Sequence, residues 1–149
     1  MKNSNVKQKG LAALEFLWIS PLVILFMAMC AELGNVFVDY QLLNKHVRSA
    51  ARYAVSEVVG TAGSVDAVYE IEPEIKNVAV FANPLGAGSP VLSGLSVSDV
   101  SVSIDSSLIT ITAVYTYQPI FEVLPFTEIS TQFDLTASSV MLGRFATTE

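Results

Sequence analysis

From Leu11 to Val38 the chain is apolar with few interruptions, chiefly Glu15, Glu32 and some uncharged polar residues. Phe16 to Ala31 carries no charge and includes Trp18, Leu22, Val23, Ile24, Leu25, Phe26 and Met27. With Leu11–Leu14 added, the run covers about 20 residues, or roughly 30 Å of helix, enough to cross a bilayer core. Beyond it the pattern changes period. Val36, Tyr40, Leu43, Val47, Ala50, Ala54 and Val58 recur every three or four residues, which draws one apolar stripe along a helix. Gly60 supplies a C-terminal stop, and Thr61, Ala62, Gly63 and Ser64 read as loop. The spacing predicts a single helix from Leu11 to Val59, about 49 residues and roughly 73 Å long. Its first half suits lipid and its second half is amphipathic.

The remainder alternates differently. Ser64 to Glu72 suggests a helical turn or two. Pro73 belongs in the first turn of a second helix reaching about Ala82, with Ile75, Val78, Ala79 and Ala82 on one face. Glu70, Glu72 and Glu74 at its start suit the helix dipole and call for no carboxylate chemistry. Asn83-Pro84 ends it, and Leu85 to Gly94 reads as loop. Gly86-x-Gly88 lacks a lysine and a following helix, so it does not read as a phosphate cradle. Val97–Ile104 alternates as a strand, Asp105-Ser106-Ser107 turns, and 109–117 is the clearest strand, with Ile109, Ile111, Ala113, Tyr115 and Tyr117 on one side. Pro119 to Thr127 is a connection holding Phe121, Leu124, Pro125 and Phe126. A last strand runs from about Ser130 to Leu142, with Phe133, Leu135 and Ala137 sharing a face. The expected fold is α+β: a long N-terminal helix, one half membrane-spanning and the other amphipathic, on a small three-stranded antiparallel sheet with a short second helix.

Composition narrows the functional classes. At 149 residues there is room for one anchoring helix and one small head. Hydrophobic residues make up 52% and charged residues only 15%, as expected with one lipid-facing segment. The formal charge is −6, and loss of residues 1–10, with Lys2, Lys7 and Lys9, would leave 5 basic residues against 14 acidic ones, a net −9. So acidic a body has no footprint for nucleic acid. Cys30 is the single cysteine, which rules out an intramolecular disulfide, and within the apolar run it reads as a small buried hydrophobe. His46 is the single histidine and has no ligand neighbours, so it reads as a surface residue and not as a metal ligand or base. With no nucleophile–base pairing visible, the chain is expected to be neither an enzyme nor a cofactor or metal binder.

The candidate chemistry lies at the start of the apolar run. A basic leader ends at Gly10, and one carboxylate, Glu15, follows in an otherwise apolar stretch. A charge beside hydrocarbon is costly and needs a partner or a function. Cutting the Gly10–Leu11 bond would create an amine at Leu11, one helical turn from Glu15. A cleaved secretory signal is the first alternative, but its apolar region is usually about 7–15 residues with a small-x-small site after it. Here the run is longer, and the pattern past Ala28-Met29-Cys30 continues as helix, which favours an anchor. Lys2, Lys7 and Lys9 before the span, with Glu32 and Asp39 after it, favour an inside N-terminus. Pro21 removes a backbone donor within the span, either as an ordinary membrane-helix proline or as a flexible point in a packed filament. Lys45, Arg48 and Arg52 share a helix face, either solvated or paired with acids of another subunit.

The segment KGLAALEFLWISPLVILFMAMCAELGNVF, followed by RSAARYAV, resembles the TadE-like pilins of the tight adherence (Tad) pilus, within the type IV pilin-related proteins. The features that carry the resemblance are Gly10/Leu11 after a basic leader, Glu15 at the fifth mature position, Pro21-Leu22 and Ala50-Ala51-Arg52-Tyr53-Ala54. Val114-Tyr115-Thr116-Tyr117, Pro119 and Ser138-Ser139-Val140-Met141 are similar in order but weaker as motifs. The size of the head points to a minor pilin or pseudopilin.

The resemblance implies a prepilin leader at 1–10, a transmembrane stalk segment at 11–38, an outer stalk at 39–59 and a head at 60–149. It implies cleavage at Gly10/Leu11 by a prepilin peptidase. Glu15, Pro21, Arg48 and Arg52 would act in subunit assembly. The implied partners are other pilin and minor-pilin subunits, an inner-membrane assembly platform and membrane lipid. The protein would sit in a bacterial inner membrane, single-pass with a periplasmic head, and enter or prime an extracellular pilus used for adhesion. The competing class is a single-pass inner-membrane protein with a small periplasmic interaction domain and no part in a filament.

Overall fold

The computed structural model describes residues 5–60 and 65–143. Residues 1–4 of the leader, the loop expected at 61–64, residues 144–149 and the side chains of residues 5–9 and 58–60, Val58 of the apolar stripe among them, lie outside the description. The chain divides into two compact units, one formed by residues up to Asn35 with Pro119–Thr131, the other by Val36–Gln118 with Gln132 onward.

Helix α1 runs Asn5–Gly60 and contributes to both units. It begins before the expected Leu11 because the leader's Lys and Gln are good helix formers and Gly10 only weakens the helix without breaking it. Its described part reaches Gly60, one residue past the expected Val59, and the loop expected beyond it lies outside the described residues.

In the first unit nearly every described side chain from Gly10 to Met27 is exposed. Burial begins at Ala28 and Glu32, one turn apart, where the 119–131 segment packs. This corrects the reading of Cys30, which is exposed. Two residues of helix turn it about 200° from Ala28, so it cannot share the buried face that Ala28 and Glu32 define. The 119–131 connection is a folded hairpin. Val123 bridges Ser130, the Leu124 N–H bonds the Ile129 carbonyl at 3.1 Å, and the Thr127 N–H closes a turn onto Leu124 at 3.1 Å.

In the second unit, α2 (Val65–Glu70) and α3 (Glu72–Phe81) precede β1 (Val100–Asp105), β2 (Leu108–Thr116) and β3 (Asp134–Leu142). Pro73 stands in the first turn of α3, and Ala82 caps its end in the left-handed conformation. The sheet is antiparallel in the order β1-β2-β3, with Val102 opposite Ile111 and Ala113 opposite Ala137. Ile109, Ile111, Ala113 and Tyr115 form the buried face of β2 and share one core with Leu43, Val47, Ala50 and Ala54 of α1 and with Ile75 and Ala79 of α3. The Tyr53 hydroxyl donates to Glu74, tying α1 to α3.

Three local expectations shift. Val97–Asp99 is a 3-10 turn, because Ser96 and Asp99 form a capping box that bends the backbone before β1 starts. β3 begins at Asp134 because Ser130 is already committed to the hairpin. Tyr40, placed in the apolar stripe, is exposed, and the small Ala51 is buried on that margin instead.

Candidate functional site

Gly10, Leu11 and Glu15 lie in the early turns of α1, with Leu11 and Glu15 one turn apart on one face. A Cβ on Gly10 would meet nothing within 4 Å. No packing inside the chain therefore demands a glycine there, although it weakens the helix by about 0.5–1 kcal/mol relative to alanine. The Glu15 carboxylate is exposed among exposed Leu11, Leu14, Phe16 and Trp18, the last at 85%. It makes no ion pair among the described residues, where the pair formed is Lys76–Glu72 at 2.8 Å.

Pro21 does not break α1. Its missing N–H would orphan the Leu17 carbonyl four residues earlier, and the Ser20 hydroxyl donates to that same oxygen at 3.0 Å. Within hydrocarbon this local repair matters, since no water can replace the lost bond. The signal was present in sequence as the dipeptide Ser20-Pro21, but it is meaningful only once helix geometry aims the hydroxyl at Leu17.

Arg48 and Arg52 fall in the second unit, exposed with Lys45 on the side of α1 turned away from the core. With Phe37, Tyr40, Gln41, Asn44 and Ser49 they line an open depression along the helix. None of the three cations is ion-paired within the described residues.

Two acids that the sequence reading used only as charges flanking the span have partners. Glu32 is only 5% exposed, and its Oε1 accepts the Phe121 N–H at 2.5 Å. A second carboxylate in the apolar run was the available signal, but a contact spanning 89 residues is invisible in local pattern. Asp39 accepts from the Tyr115 hydroxyl. Burial first, and the Asp39 charge next, raise the Tyr115 phenol above its ordinary value of 10.0. His46, expected at the surface, is half-buried, and its Nδ1 is enclosed without a partner. It sits one residue before fully buried Val47, so the helix turns it toward the core margin. Among the described residues, no group of three His, Cys, Asp or Glu side chains could hold a metal ion.

The helix is long and apolar enough to cross a membrane, and it carries an exposed carboxylate, without an ion pair among the described residues, soon after a glycine that its own packing does not need. Residues 10–52 match the family model of the TadE-like protein. That segment of the chain is TadE-like. No curated protein and no solved structure matches the chain. The TadE-like segment includes Gly10, Leu11, Glu15, Pro21, Arg48 and Arg52. The match covers under a third of the chain, and the apolar helix fits a single-pass membrane protein.

Proposed function

We propose that this chain is a minor pilin or pseudopilin of a Tad pilus, cut between Gly10 and Leu11 by a prepilin peptidase and held by α1 in a bacterial inner membrane with its head in the periplasm. The observation that carries the reading is Glu15: an exposed carboxylate in the apolar part of α1, without an ion-pair partner among the described residues, one turn from the amine that cleavage would create. Two unpaired charges in a low-dielectric bundle are each costly, whereas the Leu11 amine of one subunit against Glu15 of its neighbour offsets both. Only a subunit in correct axial register achieves that pairing, so Glu15 sets register more than it adds net stability. Gly10 supports the same reading, because a glycine that the fold does not need is explained by the cleft of a processing enzyme. Pro21, with the Leu17 carbonyl it orphans repaired by Ser20, keeps the span helical while leaving a point that can loosen in a packed filament. The basic face of Lys45, Arg48 and Arg52 would meet acids of adjoining subunits on the assembly platform or in the pilus used for adhesion.

Mass determination of the N-terminus of protein taken from its native host tests this. A chain starting at Leu11 is expected. A functional chain starting at Met1 would overturn the filament reading in favour of a plain membrane-anchored interaction domain.

A further inference from the structure

The 119–131 hairpin is a folded feature with more apolar surface than a solvated loop requires. Ile120, Phe121, Val123, Phe126 and Ile129 are all exposed, Phe126 at 73%. Phe126 also holds a positive φ of 64° at the third position of the Leu124-Pro125-Phe126-Thr127 turn, where proline precedes and glycine is the ordinary choice. A bulky aromatic kept in a left-handed backbone while fully presented is an outlier that points to a use.

Part of the hairpin's backbone is hydrogen-bonded within this unit. Phe121 N–H goes to Glu32 and Phe121 carbonyl to the Thr131 hydroxyl. Leu124 N–H goes to Ile129, Thr127 N–H to Leu124, and Thr131 N–H to Glu122. Pairing these groups internally lowers the cost of placing the segment at the edge of a low-dielectric layer, where water still reaches the others. Its attachment point fixes its depth. Glu32 is the first charge after the uncharged run that ends at Ala31, so it stands where about 20 residues of helix have just crossed the hydrocarbon. Within this unit the hairpin is pinned at that level by the Phe121–Glu32 bond and by buried Ala28 and Leu124.

We propose that the hairpin is a second membrane contact: Phe126 and its apolar neighbours insert into the headgroup–acyl boundary beside the span, with Glu32 as the internal acceptor that anchors them. The proposal rests on the membrane-anchored reading above. Insertion is driven by apolar burial. Glu122 and Glu128 give the hairpin two negative charges, so zwitterionic lipid suffices and anionic lipid adds nothing.

The test uses the full chain in phosphatidylcholine vesicles containing lipids brominated either near the top or near the middle of the acyl chains. Trp18 is the single tryptophan, and in the wild type it reports the span itself. In a Trp18→Phe/Phe126→Trp variant, and in a second with Trp18→Phe/Val123→Trp, the introduced indole should emit blue-shifted light. It should lose intensity to the shallow bromines more than to the deep ones, at every protein-to-lipid ratio. Water-like, unquenched emission from both variants, with wild-type Trp18 still quenched, overturns the hairpin proposal and leaves the anchor standing. Blue-shifted emission that escapes bromine and vanishes on dilution also overturns it, by placing a second copy on the hairpin. Unquenched Trp18 in the wild type removes the anchor and the hairpin proposal together.

Discussion

Glu15 and Glu32 stand in the same apolar helix and meet opposite fates. Glu32 is enclosed and bonded to a backbone N–H of its own chain, whereas Glu15 is exposed and makes no ion pair among the described residues. Glu15→Ala should therefore leave folding and leader removal intact while abolishing entry into pili. Immunoblots of processed subunit beside sheared pili would check this, and normal incorporation would count against the register role. Glu32→Ala should instead act within the chain. It strands the Phe121 N–H at a cost of about 1–3 kcal/mol, and it should speed amide exchange across 119–131. Tyr115 gives a pH signature. Its folded pKa is raised, so its contribution to stability is complete below its ordinary value of 10.0 and is lost as pH rises through the higher folded value. Asp39→Asn should lower the Tyr115 titration, followed by ring-carbon NMR, without removing the part due to burial.

At the scale of elements, periodicity placed the helices and strands, and side-chain hydrogen bonds set where they begin. The Ser96–Asp99 capping box delays β1, and the hairpin's claim on Ser130 delays β3. The β1–β2 connection turns through Ser106 and Ser107, and Ser106 bears a positive φ of 54°. Glycine adopts that backbone without the Cβ penalty, so Ser106→Gly should stabilise the head by about 0.5–1 kcal/mol in thermal or denaturant unfolding. α1 joins the sheet through a seam of small and branched residues. Leu43 is fully buried in it, and Leu43→Ala should cost about 2–5 kcal/mol by the same measurement.

For the whole molecule, charge is unevenly used. The chain is net negative, yet Lys45, Arg48 and Arg52 present positive charge on one helix face with no ion pair among the described residues. Exposed pairs contribute about 0.2–1 kcal/mol each, so such a face tunes partner choice and encounter rate more than final affinity. Arg48→Glu/Arg52→Glu should cut co-purification with partner pilins by up to about tenfold at low salt, and the gap from wild type should narrow as salt rises. A deficit independent of salt would mean that these arginines act through packing.

The long helix, the α+β class and the TadE-like segment were legible from residues alone, because apolar period and turn chemistry are local properties. Glu15 and Pro21 stand out in the sequence, since a charge or a proline in an apolar run is conspicuous in any fold. Tertiary structure alone decided the pairings between distant positions: Glu32 with Phe121, Asp39 with Tyr115, and the half-burial of His46. The same holds for the hairpin at 119–131, whose residues read as a plain connection until they closed on one another and on the helix. The physical reason is that periodicity states which side of an element is apolar, while a buried polar group depends on a partner brought to it only by chain closure.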